Sequence, residues 1–228
     1  MTRLTYAIGD VHGRSDLLGQ ALAWIEADAG PRPARVVFLG DYVDRGPDSK
    51  GVVETLMRGP RRPDHEWVPL KGNHDAMMAA ACAGVRPENV MLWFANGGVE
   101  TLESYEPGWR MRRASLPGDV VPAEHVSFLR GLPCRFEDEA RIFVHAGLRP
   151  GVPLAEQDEE DMLWIRDEFL RSDHDFGKLV VHGHTPNPDG PELLPNRLNL
   201  DTGAVWTGRL TVAAFDPGAR LPRLFRTG

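Results

Sequence analysis

The sequence predicts an α/β fold with a largely parallel sheet in its first third. Short apolar runs of β type alternate there with stretches of helical periodicity, and a glycine-bearing segment with polar ligand-type residues follows each run. Leu4 to Ile8 reads as a strand, and Asp16 to Ala27 as an amphipathic helix with Leu17, Leu18, Ala21, Leu22 and Ile25 on one face. Arg35 to Leu39 is a second strand, followed by a helix near Ser49 to Met57, and Trp67 to Leu70 is a third strand. Strands alternating with helices in this way imply right-handed βαβ units. From about 85 to 132 the pattern changes to helical stretches broken at Gly97-Gly98, Pro107-Gly108 and Pro117-Gly118, which predicts a mostly helical insert over one sheet edge. Strands resume at Arg141 to Val144, Leu179 to Val181, Arg197 to Leu200 and Leu210 to Phe215, with a helix expected at Asp161 to Leu170. With no internal repeat or low-complexity tract, residues 1–228 are expected to form one domain.

At 228 residues and 42% hydrophobic content the chain can bury a substantial core without covalent staples. Cys82 and Cys134 lie far apart, outside any zinc-type or redox spacing, and are expected to be buried free thiols in a reducing compartment. No apolar run reaches the length of a signal core or membrane span, so a cytoplasmic protein with no membrane partner is expected. The net charge of -7 argues against a broad nucleic-acid footprint. Any phosphate handled here is bound locally, and no stable protein partner is predicted.

The chemistry lies at the predicted strand ends. Gly9-Asp10-Val11-His12-Gly13 follows the first strand, Gly40-Asp41-Tyr42-Val43-Asp44-Arg45-Gly46 the second, and Gly72-Asn73-His74-Asp75 the third; His145-Ala146-Gly147 and His182-Gly183-His184-Thr185 follow later ones. The carboxyl ends of strands in an open α/β sheet converge on one crevice, so these segments can meet. Carboxylate, imidazole and amide oxygen suit a borderline divalent ion such as Mn, Fe or Zn. One Gly-Asp-x-His alone could be a helix start with an aspartate cap, but five such segments at strand ends point to a metal centre.

In this order and spacing, GDVHG, GDYVDRG, GNHD, HAG and GHT resemble the phosphoprotein phosphatase family of metallophosphoesterases, in particular bacterial and bacteriophage lambda-type enzymes. The resemblance spans nearly the whole chain. It includes Leu92 to Gly98, Leu163 to Arg166 and Leu200 to Thr211. It implies the calcineurin-like fold, two mixed β-sheets sandwiched between helices. It also implies Asp10 and His12 as ligands of a first metal, Asp41 as a bridging carboxylate, and Asn73, His145 and His184 as ligands of a second. Two ions about 3.5–4 Å apart can share a water, lower its pKa and aim the resulting hydroxide at phosphorus. Arg45 and Arg166 would clamp the phosphoryl oxygens, with Asn73 also on the substrate side. His74 would protonate the leaving oxygen and Asp44 would orient its ring.

His182 falls where relatives can carry an apolar residue, so it is expected behind the ligands. Pro186 stands where many metallophosphoesterases continue with a second histidine, which leaves the first metal an open, water-filled position. Read singly, Arg45 fits a surface ion pair, and Arg166 an ion pair with Asp161, Asp167 or Glu168. Asp201-Thr202-Gly203 fits a turn as well as a supporting role. The basic run Arg110, Arg112 and Arg113 fits a solvated loop better than a site that attracts acidic phosphopeptides, and Trp24, Trp93 and Trp164 fit core or pocket wall. The leading expectation is a two-metal, Mn-dependent phosphatase acting on phosphoserine and phosphothreonine of proteins or peptides, with phosphotyrosine also accessible. A second reading is hydrolysis of dinucleoside tetraphosphates or other nucleotides. Relatives of that kind share the GNHD form but often lack the equivalent of Asp44, which this chain keeps. A third, an inactive scaffold without metals, fits poorly with a complete ligand set.

Overall fold

The computed structural model describes residues 3–84, 86–112, 115–219 and 221–228. Val85, where the helical insert is expected to begin, and Arg113 of the basic run lie outside these. In chain order the elements are β1 (Leu4–Ile8), α1 (Ser15–Ala29), β2 (Ala34–Phe38), α2 (Ser49–Arg58), β3 (Glu66–Pro69) and α3 (Asn73–Cys82). Five helices follow: α4 (Pro87–Ala95), α5 (Gly98–Tyr105), α6 (Trp109–Arg112), α7 (Pro117–Val120) and α8 (Ala123–Arg130). The second half carries β4 (Arg135–Glu137), β5 (Arg141–Val144), α9 (Glu159–Trp164), α10 (Asp167–Leu170) and β6 (Leu179–His182). It ends with β7 (Glu192–Leu193), β8 (Arg197–Asn199), α11 (Ala204–Thr207), β9 (Thr211–Phe215) and β10 (Arg223–Arg226).

These strands make two mixed five-stranded sheets, ordered β10-β9-β1-β2-β3 and β4-β5-β6-β8-β7. β1, β2 and β3 pair in parallel, as do β5, β6 and β8, while β4, β7, β9 and β10 pair antiparallel. The period-2 alternation of each strand divides its side chains between two cores. Leu4, Tyr6 and Ile8 of β1 and Val36 and Phe38 of β2 face the helices of the first sheet, whereas Ala7, Val37, Phe143, Val181 and Phe215 fill the space between the sheets. Ile142, Val144 and Val180 point away from that layer, into a third cluster with Met162, Ile165 and Phe169. Burying each such large side chain contributes about 1.5–3 kcal/mol.

The expected helix from Asp161 to Leu170 is two helices. α9 ends at Trp164, Ile165 leaves helical geometry at φ -56, ψ 139, and Arg166 starts α10 at φ -129, ψ -98. The break leaves Arg166 as an exposed side chain donating from Nη1 to Thr185 Oγ1 at 3.3 Å. Among the described residues, no helix is long and apolar enough to cross a membrane. Cys82 and Cys134 are free and half-buried, and burial pushes their thiols up to about 12 and about 11.

Candidate metal centre

The parallel strands bring every predicted ligand to one end of the sheets. Asp10 and His12 follow β1, Asp41 follows β2, Asn73 opens α3 after β3, His145 follows β5 and His184 follows β6. All six are buried, and so are His74 and Asp44. Among the described residues, the non-glycine residues with left-handed φ are His12 (43°), Asp41 (53°), Asp44 (74°), Arg45 (68°) and His184 (66°). Each strained residue costs on the order of 1–3 kcal/mol and persists only where its surroundings enforce it. Here all five are residues of the predicted centre.

Asp75 does much of that enforcing. Its carboxylate accepts from the backbone N–H groups of Gly72 (2.9 Å), Asp41 (2.9 Å) and Tyr42 (3.0 Å), tying the Asp41 loop to the start of α3. Asp41 Oδ1 in turn accepts from His74 N at 3.0 Å, in the first turn of α3, where the helix dipole favours negative charge. Close packing also requires glycine beside these loops. A Cβ on Gly72 would lie 2.2 Å from Asp41 N, and one on Gly183 would lie 2.0 Å from Asp10 Oδ1.

Asp41 stands between two clusters of ligand atoms, each within 4.8 Å: His12, Asp41 and His74, and Asp41, His145 and His184. Asp10, expected beside His12, is outside both; its Oδ2 accepts from His184 N at 3.0 Å. His74 stands in the cluster beside His12, and Arg45 bridges the two rings, donating from Nη1 to His12 Nε2 (2.7 Å) and from Nη2 to His74 Nε2 (2.8 Å). Arg45 is thus brought to the centre, but onto two imidazoles. The ion-pair reading of Arg166 finds no support in the neighbouring acids: Asp161 and Glu168 pair with Arg149, and Asp167 pairs with Arg171.

The hydrogen-bond pattern tests whether these residues fit a cation. His12 Nδ1 donates to Val43 O and His145 Nδ1 to Leu39 O, both at 2.8 Å, so each ring turns a bare Nε2 inward. His145 Nε2 faces Asn73 Oδ1 at 2.8 Å and Asp41 Oδ1 at 3.4 Å, and His184 Nδ1 faces the same amide oxygen at 3.0 Å. Asp10 Oδ1 and His184 Nε2 are buried without a partner. Acceptors meeting acceptors in a buried site are satisfied by a cation. Burial pushes His12 down to about 3 and His184 to about 2, and lowers His145, so all three rings are neutral and able to ligate near pH 7. Burial pushes Asp41 up, but attraction to His145, His74, His12 and His184, acting in acid where those rings take up protons, outweighs it and holds the carboxyl below its ordinary range. Asp10 is raised by burial and by the Asp201 and Asp41 carboxyls, a repulsion that bound positive charge relieves. The residues fit divalent cations held by O and N donors.

His74 carries a separate apparatus. Its Nδ1 donates to Asp44 Oδ2 at 2.6 Å, while Asp44 Oδ1 accepts from Trp93 Nε1 (2.8 Å) and Thr101 Oγ1 (2.7 Å). Burial raises the fully enclosed Asp44, and these three donors pull it back. Trp93 was expected as core and is also a hydrogen-bond donor; Thr101 carried no sequence signal. Trp164 lines the site, its ring edge-on to His184 at 6.1 Å. Asp201 is both turn and neighbour of the centre: Oδ1 accepts from Gly203 N at 2.9 Å, and burial raises its carboxyl to about 6.

His182 lies behind the centre, with Nδ1 on Gly183 O at 3.1 Å, its ring edge-on to Phe169, and Nε2 buried without a partner. Removing it exchanges one weak hydrogen bond for the relief of an unsatisfied atom, so His182→Phe is expected to shift stability by less than about 1.5 kcal/mol. It should retain bound metal, whereas His184→Ala should lose it. Anomalous scattering at the metal edge checks this; an ion bonded to His182 would reverse the assignment.

A fold of two mixed sheets with a buried carboxylate-histidine cluster at the strand ends defines a metallophosphoesterase. The model for calcineurin-like phosphoesterases matches residues 4–217, and the chain belongs to that family. It is 28% identical to serine/threonine-protein phosphatase 1 of Salmonella typhimurium, over 92% of this chain and 91% of that one. It is 24% identical to the asymmetrical bis(5'-nucleosyl)-tetraphosphatase of Anoxybacillus flavithermus, over 91% of this chain and 89% of that one. A metallophosphoesterase structure from Sphaerobacter thermophilus superposes with a TM-score of 0.55 at 22% identity, covering 100% of this chain and 89% of that one, which speaks to the fold.

Proposed function

We propose that this chain hydrolyses phosphate monoesters with the help of two divalent cations, Mn first among the candidates and Fe or Zn also compatible with the donors, and that its substrates are phosphoserine and phosphothreonine side chains. The observation that carries this reading is Asp41, a member of both ligand clusters, with Oδ2 3.5 Å from His12 Nε2 and Oδ1 3.4 Å from His145 Nε2. Asp10, His12 and Asp41 would hold one cation, and Asp41, Asn73, His145 and His184 the other. Cations there lower the pKa of a coordinated water and neutralise phosphoryl charge.

The protein's own groups supply the rest. A phosphoryl group offers Arg45 anionic acceptors, which a guanidinium prefers to imidazole nitrogen. Its transfer to them frees His74 Nε2, and Arg166, which donates to Thr185 Oγ1, completes the clamp. With Nδ1–H fixed on Asp44, His74 can carry a proton on Nε2 to the departing oxygen. That step matters most for an alkoxide leaving group, and the Salmonella relative is named for serine/threonine phosphatase activity.

A second reading, hydrolysis of dinucleoside tetraphosphates, draws support from relatives named bis(5'-nucleosyl)-tetraphosphatases, asymmetrical and symmetrical. The two separate on specificity constants for a phosphoserine peptide, p-nitrophenyl phosphate and diadenosine tetraphosphate under one Mn condition. The peptide should exceed the dinucleotide in kcat/KM; the reverse order would select the second reading.

A further inference from the structure

Beside the metal centre lies an open cleft of about 400 Å³, lined by Arg45, Ala95, Asn96, Gly97, Glu100 and Trp206. Trp206 is 62% exposed. An isolated exposed aromatic is ordinary, but this one is built in. It sits on α11, bracketed by Gly203 at φ 64° and Gly208 at φ 70°, both left-handed. The pedestal is pinned by Asp201 Oδ1 accepting from Gly203 N (2.9 Å), Thr207 Oγ1 donating to Thr202 O (3.0 Å) and Arg14 Nη1 donating to Ala204 O (3.1 Å). A Cβ on Gly203 would stand 3.1 Å from the Trp206 ring, so the indole lies against its own turn. The Arg45 guanidinium lies 5.3 Å from the ring centroid while it donates to His12 and His74. One arginine therefore joins the indole to the reacting centre.

We infer that Trp206 and the cleft beside it form a ring-stacking subsite that selects phosphoryl substrates carrying a planar aromatic group on the leaving side. A phosphate clamped by Arg45 would lie within reach of the indole, and a leaving group directed into the cleft would meet a flat surface whose rim is polar, with Asn96 in the lining and the Glu100–Arg110 pair at the edge. Stacking needs only a π-face, so an aryl ring esterified directly to phosphate and a nucleobase across a ribose share the same chemistry. The inference rests on the hydrolytic reading above, independently of its phosphoserine assignment, and goes beyond it: phosphoserine and phosphothreonine lack this contact, and ring-bearing phosphate esters gain it.

The test compares the wild-type enzyme with Trp206→Ala, Trp206→Leu and Trp206→Phe. KM and kcat are measured with p-nitrophenyl phosphate, diadenosine tetraphosphate and a phosphoserine peptide free of aromatic residues. Loss of stacking should raise KM for at least one ring-bearing substrate by roughly 5- to 100-fold relative to the peptide in the Ala and Leu variants. Phe should recover most of the difference. Whether the aryl or the dinucleotide substrate loses more identifies which ring the cleft takes. Equal changes on all three substrates would overturn the subsite. Affinities for phenylphosphonate and methylphosphonate give a readout independent of turnover. A wild-type enzyme that cleaves none of the substrates would sink the hydrolytic reading alone. A phenyl-to-methyl affinity ratio unmoved by Trp206→Ala would sink the subsite alone.

Discussion

Asp41→Asn should abolish cation retention and turnover together. The carboxylate accepts from His74 N at 3.0 Å and stands 3.5 Å from His12 Nε2 and 3.4 Å from His145 Nε2. The amide keeps the shape but removes the negative charge that both ligand clusters share, and turns N–H groups toward the cation positions. Losing an outer partner of a metal ligand costs roughly 10–100-fold in metal affinity. Losing a carboxylate common to both clusters should exceed that, with activity falling in proportion. Metal titration followed by calorimetry checks it, and a variant that binds two cations at wild-type affinity would remove Asp41 from its central place. The fold should survive, because Asp75 holds the Asp41 backbone independently of its side chain.

His74→Asn should have the next largest effect, selective for the leaving group. General acid catalysis contributes roughly 10²–10⁴ in rate, most for a poor leaving group such as the serine alkoxide. Phosphoserine hydrolysis should fall within that range, while p-nitrophenyl phosphate, whose phenolate departs unaided, should lose far less. Asp44→Asn should show a milder kinetic loss with an added stability cost of about 1–3 kcal/mol, because its new amide would face donors from His74, Trp93 or Thr101. Equal losses of His74→Asn on both substrates would assign the ring to positioning.

The parts of this centre legible in the sequence are those carried by residue type at a strand end. β1, β2 and β3 announce themselves by apolar runs, and Asp10, His12, Asp41, Asn73 and His145 follow such runs directly. The edge strands β4, β7 and β10 did not, because they are short and partly exposed; in β10 only Phe225 is shielded, stacked on Trp24. The break at Ile165-Arg166 left no glycine or proline mark, so the segment read as one helix. The left-handed backbone of His12, Asp41, Asp44, Arg45 and His184 was also invisible, since none of these residue types requires it and only the assembled loops impose it. Trp93 and Thr101 meet Asp44 from 49 and 57 positions further along the chain, a pairing that only the packing of α4 and α5 creates. Asp75 could have been noticed: an acid one position after the His74 motif residue, at the start of a helix, is placed to cap backbone N–H groups.

Metal content and turnover measured on the same sample test the account most directly. Purified protein should hold two divalent cations per chain, lose phosphatase activity when a chelator removes them, and regain it with Mn in step with occupancy. Undiminished turnover after complete removal of metal would contradict it, because the proposed hydrolysis takes its nucleophile from a cation-bound water.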